Sequence, residues 1–221
     1  MTDAEAGARA RTASVSVIAH GHGLGLVYVD ALPADGPAMD ALARAVAEDV
    51  AAYDQRGCLS PHAAYVRGGE RDAARLAEAL HRALGDLARE RPRGALDTLA
   101  AATQIQWRGV AAARGRLLEG DGFSVSDEGA HPLPLGPGYR NVAVHCAADA
   151  PAFAARVAPL GVHLKALGFH GGAPARGALV RALPPPLAPR VSPVGAMQTP
   201  PFDALADGAL PYAGLLRFLE R

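Results

Sequence analysis

The chain has 221 residues, 50% hydrophobic and 5% aromatic, with 22 basic and 22 acidic side chains that cancel at pH 7. That balance argues against a nucleic-acid binder, which carries a basic excess or stripe. The length suits one large domain or one and a half ordinary ones. With so few aromatics, the core must be built mainly from Ala, Leu and Val. Lys165 is the only lysine, and the remaining cations are arginines. The two cysteines, Cys58 and Cys146, allow no dense disulfide framework, so a reducing cytoplasm is expected. Residues 1–12 mix acids with arginines and lack the apolar core of a signal peptide. No run reaches the roughly 18 apolar residues of a membrane span.

Taken in order, residues 1–12 read as a disordered tail. Ala13 to Ala19 alternates and is β-branched, which predicts a strand. The glycine-rich turn His20-Gly21-His22-Gly23-Leu24-Gly25 leads into a buried strand over Leu26 to Val29. Asp35-Gly36-Pro37 opens a helix with Pro near its first turn. Met39, Leu42, Ala43, Val46, Ala47 and Val50 place one face of that helix in the core as far as Tyr53. His62 to Val66 is the next strand. Glu70 to Glu90 carries Leu76, Leu80, Leu84 and Leu87 on one stripe, an amphipathic helix broken by Pro92. A further helix is expected over Leu96 to Leu118, on which Trp107, Gln104 and Gln106 pack or cap. Strands follow at Phe123 to Ser126, Asn141 to Cys146 and Val162 to Phe169, with a short helix over Pro151 to Val157. Pro184-Pro185-Pro186 and Pro200-Pro201 punctuate the last fifty residues before a final helix, Tyr212 to Leu219. Alternating strands and helices predict an α/β layered domain.

Between the first long helix and the strand at His62 lies Tyr53-Asp54-Gln55-Arg56-Gly57-Cys58-Leu59-Ser60-Pro61. Gly57 and Pro61 bracket a cysteine and restrict the backbone around it. This pattern reads as a nucleophile presented on a loop. Cys146, in an alternating strand without such flanks, reads as structural. His20-x-His22 with Cys58 offers at most part of a metal site, because no second ligand cluster accompanies it. The glycines of residues 21–25 lack the strand–turn–helix context and G-x-G-x-x-G spacing of a phosphate loop.

Asp54-Gln55-Arg56-Gly57-Cys58-Leu59-Ser60-Pro61 is similar to the thiol loop of the fatty acyl-CoA reductase family of the bioluminescence type. That family is a branch of the aldehyde dehydrogenase superfamily. A second stretch, Arg190-Val191-Ser192-Pro193-Val194-Gly195-Ala196-Met197-Gln198-Thr199-Pro200-Pro201, with Asp207-Gly208 and Leu215-Leu216-Arg217-Phe218, resembles the family's C-terminal signature. The resemblance runs from about Ala13 to the end. It implies an α/β, aldehyde-dehydrogenase-like catalytic domain, a layered sheet with flanking helices, lacking most of the N-terminal dinucleotide-binding domain. In that division residues 13–25 are a remnant strand and turn of the cofactor-domain junction. Residues 26–170 form the thiol-bearing catalytic domain, and residues 171–221 the signature segment.

The resemblance further implies reduction of a fatty acyl-CoA to an aldehyde through a Cys58 acyl-enzyme and hydride from NADPH. A truncated or split enzyme is expected, partnered by a separate dinucleotide-binding polypeptide or by copies of itself. Arg56 is a local cation for the thiolate, Gln55 and Arg56 are candidate substrate contacts, and the Cys58 N–H is an oxyanion donor. The negative end of the preceding helix opposes the thiolate. His20 aligns where oxidising relatives carry a water-activating glutamate. It is the candidate acid–base group, and loss of the carboxylate fits the reductive direction. Leu135-Gly136-Pro137 faintly resembles a superfamily segment, but the acidic ribose contact is missing there among His131, Leu133 and Leu135. The alternatives are a non-catalytic acyl-binding or assembly fragment, and a thiol hydrolase or acyltransferase using Cys58 with His62 or His20.

Overall fold

The computed structural model describes residues 22–131 and 135–205, with residues 8, 208 and 210. The strand expected at Ala13 to Ala19, His20 itself and the final helix at Tyr212 to Leu219 lie outside the described residues.

Seven strands form one sheet: β1 (Leu24–Val29), β2 (Pro61–Arg67), β3 (Arg116–Gly120), β4 (Phe123–Gly129), β5 (Asn141–Ala147), β6 (Leu164–His170) and β7 (Arg190–Pro193). Their order is β3-β4-β5-β2-β1-β6-β7. Among the described strands only the β3–β4 pair is antiparallel. The central strands read as continuous apolar runs because both faces of a parallel sheet are covered by helices.

One face packs under α1 (Gly36–Ala51) and α2 (Glu70–Glu90), with Val27, Val29, Ala64, Val66, Val142 and Val144 pointing into that layer. The opposite face carries Leu26, Tyr28, Ala63, Tyr65 and Ala143. It is covered by α3 (Thr98–Arg114), α4 (Ala150–Val157) and α5 (Ala173–Ala182). Alternate residues of one strand serve different layers, as the period-2 geometry of a strand requires.

Local chemistry explains the helix limits. Asp35 accepts the Ala38 N–H at 2.7 Å and starts α1, as a side-chain oxygen does at an N-cap. Asp97 does the same for α3 through the Ala100 N–H, at 2.7 Å. In α2 the leucines 76, 80, 84 and 87 are all buried, as their spacing predicts. Each is worth roughly 2 kcal/mol over exposure.

Several boundaries differ from expectation. Helix α1 stops at Ala51, and the chain turns left-handed at Tyr53 rather than continuing to it. The helix expected to reach Leu118 ends at Arg114, and Leu117 and Leu118 pair in β3 with Ser126 and Val125. Gly115 makes this exit possible, because a Cβ there would meet the Asp127 carbonyl oxygen at 2.5 Å. The strand expected from Val162 begins at Leu164, after a 3-10 segment over Ala158–His163. Neither α5 nor β7 is marked in the sequence by a strong period.

Candidate active site

The thiol loop sits at the amino end of β2, beside the amino ends of β1, β5 and β7. Gly25, at the start of β1, donates its N–H to the Ser60 carbonyl at 2.8 Å. A Cβ on Gly25 would lie 2.4 Å from the Leu59 carbonyl oxygen. The register of β1 shifts beside Gly25 against both of its neighbours. Only a residue without a side chain lets the loop approach the sheet this closely. Ser60 N–H closes the turn onto the Gly57 carbonyl at 3.0 Å, and Cys58 stands exposed between them.

The left-handed backbone falls on three residues with side chains, not on Gly57. Tyr53, Asp54 and Gln55 have φ of 53°, 52° and 61°. Such conformations cost of order 1–3 kcal/mol each and persist only where surroundings over-determine them. Here the surroundings are residues 138–141, which contain a second left-handed pair, Tyr139 (φ 54°) and Arg140 (φ 65°).

The Arg140 guanidinium meets Asp54 Oδ1 at 2.7 Å from Nη2 and 3.0 Å from Nε, and gives Nη1 to the Arg91 carbonyl at 2.8 Å. Asp54 Oδ2 accepts the Gly94 N–H at 3.0 Å, and the Asp54 carbonyl accepts the Tyr139 N–H at 3.0 Å. Gln55 is wholly buried. Its Nε2 donates to the carbonyls of Pro61 (2.8 Å) and Asn141 (3.0 Å), while its Oε1 accepts the Asn141 N–H at 2.8 Å. Gln55 is thus committed to the backbone on either side of the thiol loop, where the sequence led us to expect a substrate contact.

Asn141 completes the frame. Its amide donates to the Gly138 carbonyl at 2.7 Å and accepts from Ser124 Oγ at 2.6 Å and Arg108 Nε at 3.2 Å.

Arg56 is exposed and stands over the Tyr139 ring, 5.8 Å from its centroid. That contact fixes its head within cation–π range. Burial pulls the pKa of a second cation, Arg190 of β7, below the usual arginine value, against the opposing influence of Asp49 and Cys58. Arg190 Nη2 donates to the Met197 carbonyl. Asp49, buried on α1, accepts the Gly195 N–H at 2.6 Å and the Met197 N–H at 3.0 Å. Burial pushes its carboxyl pKa up against the pull of the backbone N–H groups of Gly195, Met197 and Gln198. The loop after β7 is thereby tied to α1, and the Gln198 side chain comes to lie beside Gly57. A Cβ on Gly57 would find Gln198 Oε1 at 3.5 Å and Ser60 Oγ at 3.2 Å.

Asp49 and Arg190 were missed as site residues. The signals were present: an acid on the apolar stripe of α1, and an arginine heading the signature stretch.

His62 donates Nδ1–H to the Gly136 carbonyl at 2.9 Å in its neutral form, and burial holds its pKa below the usual histidine value. His22 is exposed, and its carbonyl accepts a hydrogen bond from His163 Nδ1 at 2.8 Å. Among the described residues no group of three His, Cys, Asp or Glu side chains is arranged to hold a metal ion. Cys146 is buried, and burial pushes its thiol pKa up. Among the described residues no helix is long and apolar enough to cross a membrane.

This sheet with its flanking helices is an aldehyde-dehydrogenase-like fold. An indole-3-acetaldehyde dehydrogenase solved with NAD+ superposes with a TM-score of 0.59 at 15% identity, over 85% of this chain and 41% of that one. The aldehyde dehydrogenase KauB from Pseudomonas aeruginosa gives 0.54 at 16% identity, over 73% and 36%. An NAD-dependent benzaldehyde dehydrogenase from Corynebacterium glutamicum gives 0.54 at 14% identity, over 80% and 40%. The chain spans about two fifths of the length of these dehydrogenases. No curated protein matches it. The family model of acyl-CoA reductase (LuxC) matches residues 4–218. The chain belongs to the acyl-CoA reductase (LuxC) family.

Proposed function

We propose that Cys58 accepts the acyl group of a fatty acyl-CoA as an enzyme-bound thioester, the first half of a reduction to aldehyde that NADPH completes. The observation that carries this reading is an exposed thiol on a loop whose strained approach is held by the hydrogen bonds of buried Gln55 and by the Asp54–Arg140 ion pair. A structural cysteine needs no such frame, whereas a nucleophile must be fixed within about half an ångström of its attack geometry.

In the transfer step the Cys58 thiolate sulfur adds to the thioester carbonyl, the carbonyl π pair moves to oxygen, and its return expels the CoA thiolate. Gln55, Asp54 and Asn141 hold the loop, and Gly25 seats it against the sheet. The reduced nicotinamide would supply the hydride that releases the aldehyde.

The described residues offer that cofactor no phosphate cradle. A Cβ on Gly23 would meet Lys165 Cγ at 2.1 Å, and the space at Gly25 is taken by Leu59. At Gly23 and Gly25 the space is filled by protein. We therefore assign acyl transfer to these residues and hydride delivery to a dinucleotide-binding unit that works with them.

Incubation of the full chain with a long-chain acyl-CoA is expected to add one acyl mass, mapped to Cys58 and absent from Cys58→Ala. An unmodified wild-type chain, or equal labelling of the variant, would rule the reading out.

A further inference from the structure

Four buried polar atoms beside the thiol loop have no hydrogen-bond partner among the described residues: Arg190 Nε and Nη1, Gln198 Nε2 and Ser60 Oγ. They belong to one place. Arg190 is anchored on the Met197 carbonyl, Gln198 is the next residue, and Gln198 and Ser60 both border Gly57. Three of the four atoms are obligate N–H donors, and the hydroxyl can donate as well.

Burying a guanidinium costs several kcal/mol unless its donors are used. The surroundings use one of its nitrogens and leave two idle. Donors without protein partners beside a nucleophile match the site of a developing negative charge, where preorganised N–H groups act most strongly.

We propose that Arg190, with Gln198, receives the oxygen that turns negative when Cys58 adds to the thioester carbonyl, making Arg190 a catalytic residue. The proposal rests on the reading of Cys58 as acyl acceptor and names the group that stabilises the step. As the sulfur–carbon bond forms, the carbonyl π electrons pass to oxygen and that oxygen accepts from Arg190 Nε–H or Nη1–H and from the Gln198 amide. When the carbonyl re-forms, the CoA thiolate leaves and the donors are free again. No oxidant or reductant enters the step. Gln198 Oε1 lies 3.5 Å from where a Cβ on Gly57 would stand, which sets the Gln198 side chain beside the residue that precedes the thiol.

The test separates acyl chemistry from thiol chemistry on the full chain. Arg190→Gln, Arg190→Lys and Gln198→Ala are compared with wild type in two reactions at Cys58: acylation by a long-chain acyl-CoA, and alkylation by iodoacetamide, whose displacement creates no oxyanion. Arg190→Gln is expected to slow acylation by roughly 100-fold or more, the usual cost of a lost oxyanion donor, with alkylation changed less than about threefold. Arg190→Lys, which keeps the charge but loses the fork, should fall between.

Equal slowing of both reactions would show that Arg190 only sets the thiol, and no slowing of either would leave it without a part; both outcomes overturn the proposal. A wild-type chain that alkylates but never acylates overturns the reading of Cys58 instead. Thermal unfolding gives an independent arm. An Arg190→Met melting temperature equal to or above wild type supports a donor kept for a ligand, and a drop of several degrees identifies a structural arginine and overturns the proposal.

Discussion

On one flank of Cys58, Asp54, Gln55, Arg140 and Asn141 interlock with their polar atoms engaged. On the other flank, Arg190, Gln198 and Ser60 keep buried polar atoms without partners among the described residues. Both flanks are polar and both are sunk against the same sheet, yet only the first is arranged for stability. Satisfied buried networks rigidify a site, and unsatisfied ones cost free energy until something binds. The difference assigns the first flank to holding the thiol and the second to meeting what the thiol attacks.

The comparison breaks most visibly at Gln55. Gln55→Leu removes the amide donors from the Pro61 and Asn141 carbonyls and leaves the Asn141 N–H with only its longer bond to the Gly138 carbonyl, at 3.2 Å. With a lost partner costing about 1–3 kcal/mol each, the loss is expected to reach about 4 kcal/mol. Urea unfolding checks it, and a loss under 1 kcal/mol would show that the frame is ornamental.

Acid should come next. His145 is fully buried, stacked 4.9 Å from the Tyr65 ring, and its pKa is pushed down to about 4, first by burial and then by Arg156. His62 shifts in the same direction. In both, the unfolded chain binds protons that the folded one refuses, so stability rises with pH across the window from about 4 to 6.5. Moving down that window, His145 alone should remove about 3 kcal/mol. Urea midpoints measured from pH 7 to pH 4 test this, and a flat profile in wild type would refute the buried neutral state.

Asp54→Asn keeps a side chain that tolerates the left-handed backbone but removes the charge facing the buried Arg140. A loss of about 2 kcal/mol is expected, with faster hydrogen exchange at Tyr139. Arg56→Ala should do least. The side chain is exposed, and among the described residues its ring contact with Tyr139 is the interaction it would lose at the loop. Cys58 alkylation is expected to stay within about twofold of wild type, because a solvated cation is strongly screened. A tenfold drop would return the role of thiol counter-ion to Arg56.

Much of the fold was legible because periodicity reports burial directly. The leucine stripe of α2 satisfies one helical repeat and β1 is a continuous apolar run, and the layers follow from them. The site was less legible. A left-handed turn carried by Tyr53, Asp54 and Gln55 has no glycine to announce it, since what holds it is Asn141, 86 residues away from Gln55. The idle donors were invisible for the same reason. Whether an arginine is paired depends on what folds against it.

The chain by itself therefore determined where the thiol stands in the order of elements, which faces are apolar and which two stretches carry the family likeness. Those follow from local spacing and residue type. Tertiary structure alone decided that the thiol loop is seated against Gly25 of β1, that Gln55 is spent on the backbone, and that the loop carrying Gln198 is brought beside Gly57. Each is a contact between segments far apart in sequence, and the energy of such a contact is written in neither segment alone.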